Sequence, residues 1–293
     1  MAPQLAVDGT TLYIVFTRLA PIEPDTCGGE TPVNSVGVYY KSRALPNGSW
    51  SAATRIGHVG DLLQSFRVVN SVIHATVVAG GGAGPVSYES QKGSSFRELR
   101  IPGASATALR IGDDGRPRIA YTTGHAVRFA VVTGGDLATT TVFSADDVLV
   151  DSPVLVLGSG DHAFVSWAAT EVIDESGGCS DEGPKPTSHV GTWFATDVDG
   201  KWATKRLSKD VGSASLALDV STGRLHATYN DQRGIRYVTR AADGSWSGSR
   251  LDVSRDFSGA VLRRDPATGL LLLVGPMWGE DEAKTGIYAL TAS

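Results

Sequence analysis

Two consecutive hairpins between Ser215 and Leu251 decide the fold. The first runs from Ser215-Leu216-Ala217-Leu218 through the turn Thr222-Gly223-Arg224 to His226-Ala227-Thr228-Tyr229. The second runs from Gly234-Ile235-Arg236-Tyr237 through Asp243-Gly244-Ser245-Trp246 to Arg250. Apolar and polar residues alternate along each limb, the period of a strand, and a glycine stands at each reversal. The stretch therefore predicts a four-stranded antiparallel meander, with strands A and B from the first hairpin and C and D from the second.

The pattern recurs outward in both directions. Relatives of the first hairpin run from Leu5 through Asp8-Gly9 to Val15, and from Thr107 through Asp113-Asp114-Gly115 to Tyr121. Relatives of the second run from Val38-Tyr39-Tyr40 through Asn47-Gly48-Ser49-Trp50 to Arg55, and from Val190-Gly191-Thr192-Trp193 through Asp199-Gly200-Lys201-Trp202 to Arg206. Aligning the C strands puts one aromatic at the same place in six copies: Tyr39, Tyr88, Phe129, Trp193, Tyr237 and Tyr288. A four-strand repeat of this length indicates a β-propeller. The expected fold class is all-β: a six-bladed β-propeller of four-stranded antiparallel blades, forming a single domain over residues 1–293. The last blade has its inner pair near Ala260 to Val274 and a C strand at Ile287 to Thr291, so the expectation is either a three-stranded last blade or a longer natural chain. The six aromatics are expected to pack between neighbouring blades.

Composition excludes much else. Thirty-five glycines suit a turn-rich chain, and two cysteines are too few for a disulfide-built fold. No apolar run approaches the ~18 residues of a membrane-spanning helix. A formal net charge of −5 argues against a nucleic-acid binder.

The turns Asn47-Gly48-Ser49-Trp50, Asp199-Gly200-Lys201-Trp202 and Asp243-Gly244-Ser245-Trp246 resemble the Asp-box, the Ser-x-Asp-x-Gly-x-Thr-Trp turn of sialidase-like propellers. Arg100-Ile101-Pro102, ending a D strand, is similar to that family's Arg-Ile-Pro motif. The resemblance implies a six-bladed propeller with Asp-boxes far from the active site. It also implies catalysis over the central channel by an arginine triad, a Tyr/Glu pair and an acidic residue; no three arginines of this chain are assigned to the triad.

The connections are unequal. The A–B and C–D turns are short, whereas the B–C loops at Leu19 to Ser35 and Thr170 to Ser188 are long, and the one at Pro276 to Gly286 is intermediate. Long, non-repeating loops on a rigid frame are where binding and chemistry concentrate. These three carry Glu23, Asp25, Glu30, Glu171, Asp174, Glu175, Asp181, Glu182, Glu280, Asp281 and Glu282 against only Lys185 and Lys284. The expectation is an acidic channel mouth attracting cations or amines, with calcium a candidate ligand and no cofactor required. Cys27 and Cys179 fall in the two long loops, on blades opposite each other in a ring of six, and are expected to form a disulfide across the mouth. Such a bridge favours a secreted protein, although Met1-Ala2-Pro3 enters a strand with no signal peptide.

Among candidate residues, His74, His162 and His226 share one place at the start of strand B and read as part of the repeat. His125 and His189 begin C strands on the loop-rich face, and His58 lies in a D–A connection there. Asp61, Asp151, Asp210 and Asp256 stand at or before A strands, and Asp231 follows a B strand. Glycoside hydrolysis needs two carboxyl groups about 5–9.5 Å apart, and Asp61, Asp151 and Asp231 are the catalytic candidates. Arg18, His125, His189, Tyr229, Arg233, Arg255 and Trp278 are expected to bind substrate, the aromatics by stacking on sugar rings. The expected function is a carbohydrate-active propeller, a glycoside hydrolase acting as a monomer on a glycan or small molecule. The alternative is a non-catalytic, lectin-like module for a glycan or basic partner.

Overall fold

The structure, a computed structural model, describes residues 3–19, 35–82, 84–172, 188–212, 214–231, 234–251, 261–264, 268, 271–277 and 286–292. Six antiparallel sheets follow one another along the chain. The first contains β1 (Gln4–Asp8), β2 (Thr11–Leu19), β3 (Ser35–Ala44) and β4 (Thr54–Ile56). The second contains β5 (Leu62–Val69), β6 (Val72–Val78), β7 (Val86–Lys92) and β8 (Ser95–Ile101). The third contains β9 (Ala106–Ile111), β10 (Pro117–Thr122), β11 (Ala126–Thr133) and β12 (Asp136–Ser144). The fourth contains β13 (Val148–Leu157), β14 (Ala163–Glu171), β15 (Gly191–Thr196) and β16 (Ala203–Ser208). The fifth contains β17 (Ser215–Asp219), β18 (Arg224–Asp231), β19 (Gly234–Arg240) and β20 (Trp246–Arg250). The sixth, with β21 (Val261–Arg264), β22 (Leu271–Met277) and β23 (Gly286–Ala292), has three strands among the described residues. Strand order and count match the repeat, and each aligned aromatic lies on the third strand of its sheet.

The chain packs as two compact units, residues 1–123 with 129–140 and residues 124–128 with 141–293. In the first unit, Tyr13, Val15, Val38 and Ile56 of the first sheet meet Leu63, Phe66, Val68, Ile73, Ala75 and Val77 of the second. The other face of the second sheet offers Leu62, Val78, Val86, Tyr88 and Ile101 to Leu109, Ile119, Tyr121 and Ala130 of the third. Both faces of the second sheet are thus buried, which matches the burial of β6 along most of its length. In the second unit, Val156, Phe164 and Phe194 meet Leu216, Leu225, Ala227 and Tyr229, and Ala217 and Ile235 meet Leu262, Leu271 and Leu273. Burying one such large side chain contributes roughly 1.5–3 kcal/mol.

Polar side chains add a repeated stitch between first strands. Ser65 Oγ accepts the Leu109 N–H at 3.2 Å, and Ser215 Oγ accepts the Leu262 N–H at 2.8 Å. In each case a serine of one first strand captures the backbone of the next, satisfying a donor that no ladder reaches.

The histidines and aromatics of the repeat form a device of their own. His74 Nδ1 and the Tyr88 hydroxyl share a 2.6 Å hydrogen bond, and His226 with Tyr237 repeats it at 2.6 Å. The two ring pairs stack at 6.0 Å. Tyr88 and Tyr237 face the following sheet, as expected of them, while Tyr39 stacks on Phe16 of its own sheet. At the C–D turns, Asp243 Oδ1 accepts the Ser245 N–H at 2.8 Å, and Trp246 packs edge-on against Phe194 at 5.1 Å. The corresponding Trp50 lies under the Arg43 guanidinium at 5.0 Å.

Burial lowers His74 from 6.5 to about 4, so the folded protein holds it neutral where the unfolded chain charges it. Its contribution is complete above about 6.5 and is lost as pH falls toward 4, by at most about 1.4 kcal/mol per pH unit. The difference in unfolding free energy between wild type and His74→Gln is therefore expected to move against wild type across that window. Denaturant titrations of both proteins at several pH values check this, and a difference independent of pH refutes it.

Candidate functional site

The end of the fourth and fifth sheets where second strands pass to third strands, and fourth strands to the next sheet, carries an open cavity of about 390 Å³. It is lined by Leu207, Ser208, Lys209, Asp210, Tyr229, Asp231, Arg236 and Arg250. Tyr229 and Asp231 end β18, Arg236 begins β19 and Arg250 ends β20, so adjacent rungs of one sheet deliver four of the eight. Lys209 and Asp210 come from the connection between β16 and β17. Their placement is firm: Thr192 Oγ1 donates to the Asp210 carbonyl at 2.8 Å, and Ser208 Oγ accepts the Asp210 N–H at 3.0 Å.

Charge defines what this cavity can hold. Asp231 Oδ2 accepts from Arg250 Nη2 at 2.7 Å and lies 3.9 Å from Arg236 Nε, with its side chain 18% exposed. A carboxylate between two guanidiniums stays ionised and fixes both cations in place. The lining thus has three basic side chains against two acidic ones. It suits an anionic group, whereas the loop sequences suggest an acidic mouth; those loops lie outside the described residues.

Beside the cavity, the segment entering β15 builds a second constellation. His189 Nδ1 lies 2.8 and 2.9 Å from the two carboxylate oxygens of Asp147. A carboxylate accepting the Nδ1–H leaves Nε2 as the proton acceptor, and His189 is 40% exposed. Trp193 Nε1 donates to the His189 carbonyl at 2.7 Å, and Arg206 donates to the carbonyls of Ser188 and Val190. Phe143 packs at 5.3 Å on both Trp167 and Trp193, and the His189 ring stands edge-on to it at 6.0 Å.

The remaining sequence candidates are more scattered. Asp61 is 2% exposed and its Oδ2 accepts the His58 N–H at 2.6 Å, so its carboxylate holds backbone. Asp151 is exposed on β13, beside a bulge, with Ser152 Oγ donating to it at 3.3 Å. His125 Nδ1 lies 2.7 Å from the Val148 carbonyl. Arg18 is exposed near the end of β2. Arg233, Arg255, Trp278, Asp256, Cys27 and Cys179 lie outside the described residues, as do the loop carboxylates considered for calcium except Glu171, which ends β14. Of the proposed residues, the structure brings Tyr229 and Asp231 into one cavity, with Asp210, and places His189 on the same sheet end.

Sequence reading missed Lys209, Arg236 and Asp147. Arg236 precedes the repeated aromatic, as Arg128 does in the third copy, while Val38, Ser87, Thr192 and Ile287 stand there in the others, so the position alone does not single it out. Arg250 was legible only as the basic end of a repeat, because Arg55, Arg100 and Arg206 end β4, β8 and β16 in the same way.

No family model matches the chain, and no curated protein matches it in sequence. Solved structures match it in fold. A PL25 polysaccharide lyase, an ulvan lyase bound to -[GlcA(1-4)Rha3S]-, superposes with a TM-score of 0.64 at 12% identity, covering 99% of this chain and 80% of that one. An α-L-arabinofuranosidase of Fusarium graminearum, in complex with an iminosugar inhibitor, gives 0.53 at 10% identity, covering 96% and 89%. A sialidase of Streptococcus pneumoniae gives 0.51 at 7% identity, covering 97% and 66%. The likeness is one of fold, that of a β-propeller, and the chain's six antiparallel sheets, the last with three described strands, fit that fold class. Among the described residues no helix is long and apolar enough to cross a membrane.

Gly191 keeps this region in register. Its φ is +139°, and a Cβ there would lie 2.1 Å from the Ser208 carbonyl oxygen. Gly191→Ala is expected to destabilise the protein by about 2 kcal/mol or more and to broaden the His189 ring resonances. Chemical denaturation and NMR of the variant check both, and an unchanged unfolding midpoint refutes the prediction.

Proposed function

We propose that the chain is a carbohydrate-active propeller that cleaves an acidic glycan at the cavity of the fourth and fifth blades. The cationic lining around Asp231 carries this reading. Arg236, Arg250 and Lys209 offer charge-assisted hydrogen bonds to a carboxylate or sulfate, and Tyr229 offers an aromatic edge with a hydroxyl. The fold likeness to an ulvan lyase and a sialidase supports a sugar as the ligand. Residues 1–293 then form one propeller domain, working as a secreted monomer without a required cofactor.

Hydrolysis is the first form of the reaction. Asp231, held ionised by its two arginines, serves as nucleophile or base, and Asp210 across the cavity serves as the partner acid. His189 with Asp147 favours a second form, β-elimination from a uronate. There an arginine neutralises the sugar carboxylate while a base removes the adjacent C5 proton, the C4–O glycosidic bond breaks as the C4=C5 double bond forms, and the departing oxygen takes up a proton.

Incubation with panels of acidic and neutral polysaccharides tests the proposal. Acidic substrates are expected to be cut, with Asp231→Asn lowering turnover at least about a hundredfold. Arg236→Ala is expected to raise KM about tenfold or more on acidic chains alone. Hydrolysis releases saturated reducing ends, whereas elimination releases an ultraviolet-absorbing unsaturated uronide. Cleavage confined to neutral glycans, or unaffected by either change, refutes the site.

A further inference from the structure

We propose that His58, Glu89 and Glu98 form a pH-operated latch that holds the connection Gly57–Gly60 in place up to neutral pH and releases it above. This connection joins β4 of the first sheet to β5 of the second. Nothing in the proposed chemistry uses it.

Glu89 stands on β7 directly opposite Glu98 on β8, so two carboxylates occupy one rung of a ladder. Directly opposed side chains are about 4.5–5.5 Å apart at Cβ, and like charges there repel. Glu89 is 2% exposed, and its one described hydrogen bond is from Ser87 Oγ to Oε1, at 3.3 Å. Glu98 reaches outward, where its Oε2 lies 3.1 Å from His58 Nε2. His58 sits in the connection, and its backbone N–H donates to Asp61 Oδ2 at 2.6 Å. Gly57, at φ +67°, lies so close that a Cβ would come within 2.4 Å of the same carboxylate oxygen. One short segment of backbone is thus pinned by Asp61 from below and by the Glu98–His58 pair from outside.

The protonation states of these groups are linked. Burial, and then the charge of Glu98, raise Glu89 from 4.5 to about 7. The hydrogen bond and charge of Glu98 raise His58 above 6.5. Burial also raises Asp61, against the His58 N–H, which favours its charge. Glu89 is neutral in mild acid and ionises as pH passes about 7, and His58 keeps its proton to higher pH than an ordinary imidazole before losing it, so the cluster gains negative charge as pH rises. The charges facing them from adjacent strands are Arg55 on β4 and Arg100, opposite Ser87 on β8. Arginine keeps its charge throughout this range, so neither offsets the change.

The sign follows from linkage. Both groups have folded pKa values above their unfolded ones, so the folded form binds the extra protons. Their stabilisation is present in mild acid and is lost as pH rises, through about 7 for Glu89 and above the ordinary imidazole range for His58. The cost falls on the least anchored element, the glycine-flanked connection, because β7 and β8 are held by the full ladder between Val86–Ile101 and Lys92–Ser95.

Two measurements on the intact protein test the latch. Carboxyl-detected NMR is expected to show Glu89 titrating near 7. Amide exchange, corrected for intrinsic rates, is expected to show His58 N–H protection falling at least about tenfold between about pH 6 and about pH 8. In Glu89→Gln most of that fall disappears. The proposal is overturned if Glu89 titrates with ordinary carboxylates, if protection is constant across the range, or if the variant loses protection as wild type does. Should Glu89→Gln fail to fold, the wild-type titration and exchange still decide.

Discussion

A short antiparallel sheet with apolar side chains on both faces cannot remain exposed to water, and this requirement organises the molecule. The second sheet shows it most plainly. Phe66, Ile73 and Ala75 point to the first sheet, while Leu62, Tyr88 and Ile101 point to the third. Neither set is buried by its own sheet, because a meander covers only its edges. Within each unit, one sheet is therefore stabilised by the next in the chain. The serine stitches at Ser65 and Ser215 act where apolar packing gives no direction, at the first strands. They set how far one sheet can slide past the next.

That arrangement frees the strand ends. Ladder hydrogen bonds and apolar packing consume the middle of each strand, so side chains at the ends and in the connections are available for other work. Asp231, Arg236 and Arg250 occupy the last rungs of the fifth sheet and form the cation-lined cavity. At the homologous end of the second sheet, two rungs further in than Arg236 and Arg250, the same ladder places Glu89 against Glu98 and yields an acidic, proton-binding cluster. The two sites differ in a few side chains on a shared frame. This is how a repeat fold acquires different chemistry in different blades.

Much of the frame was legible in the chain because it depends on local spacing. Alternation and glycine turns located the strands, and the aligned aromatics located the third strand of every blade. The histidine at the second strand read correctly as part of the repeat for His74 and His226, but His162, grouped with them, precedes β14 and lies 3.7 Å from Asp197, with Val165 at the equivalent place. What was not visible was the partner of His74 and His226, the tyrosine hydroxyl 2.6 Å away on the neighbouring strand. Among the site residues, Tyr229 and Asp231 were found because they end a strand that alternation had already defined. Asp61 was weighed as a catalytic carboxylate from its position before a first strand. Its burial against the His58 N–H depends on how a connection folds back, which no periodicity encodes.

By itself, the sequence determined the all-β class, the six repeats, the strand order within each and the faces that must be buried. These follow from periods of two and of one blade, and a side chain's direction along a strand is fixed by its parity. The tertiary structure alone decided which charges meet. Asp231 is joined to Arg250, 19 residues away, and His189 to Asp147, 42 residues away. Charge has no period, and an ion pair forms wherever sheet packing and chain return happen to bring opposite groups within about 4 Å. The sign of a local field therefore emerges only after the strands have been placed.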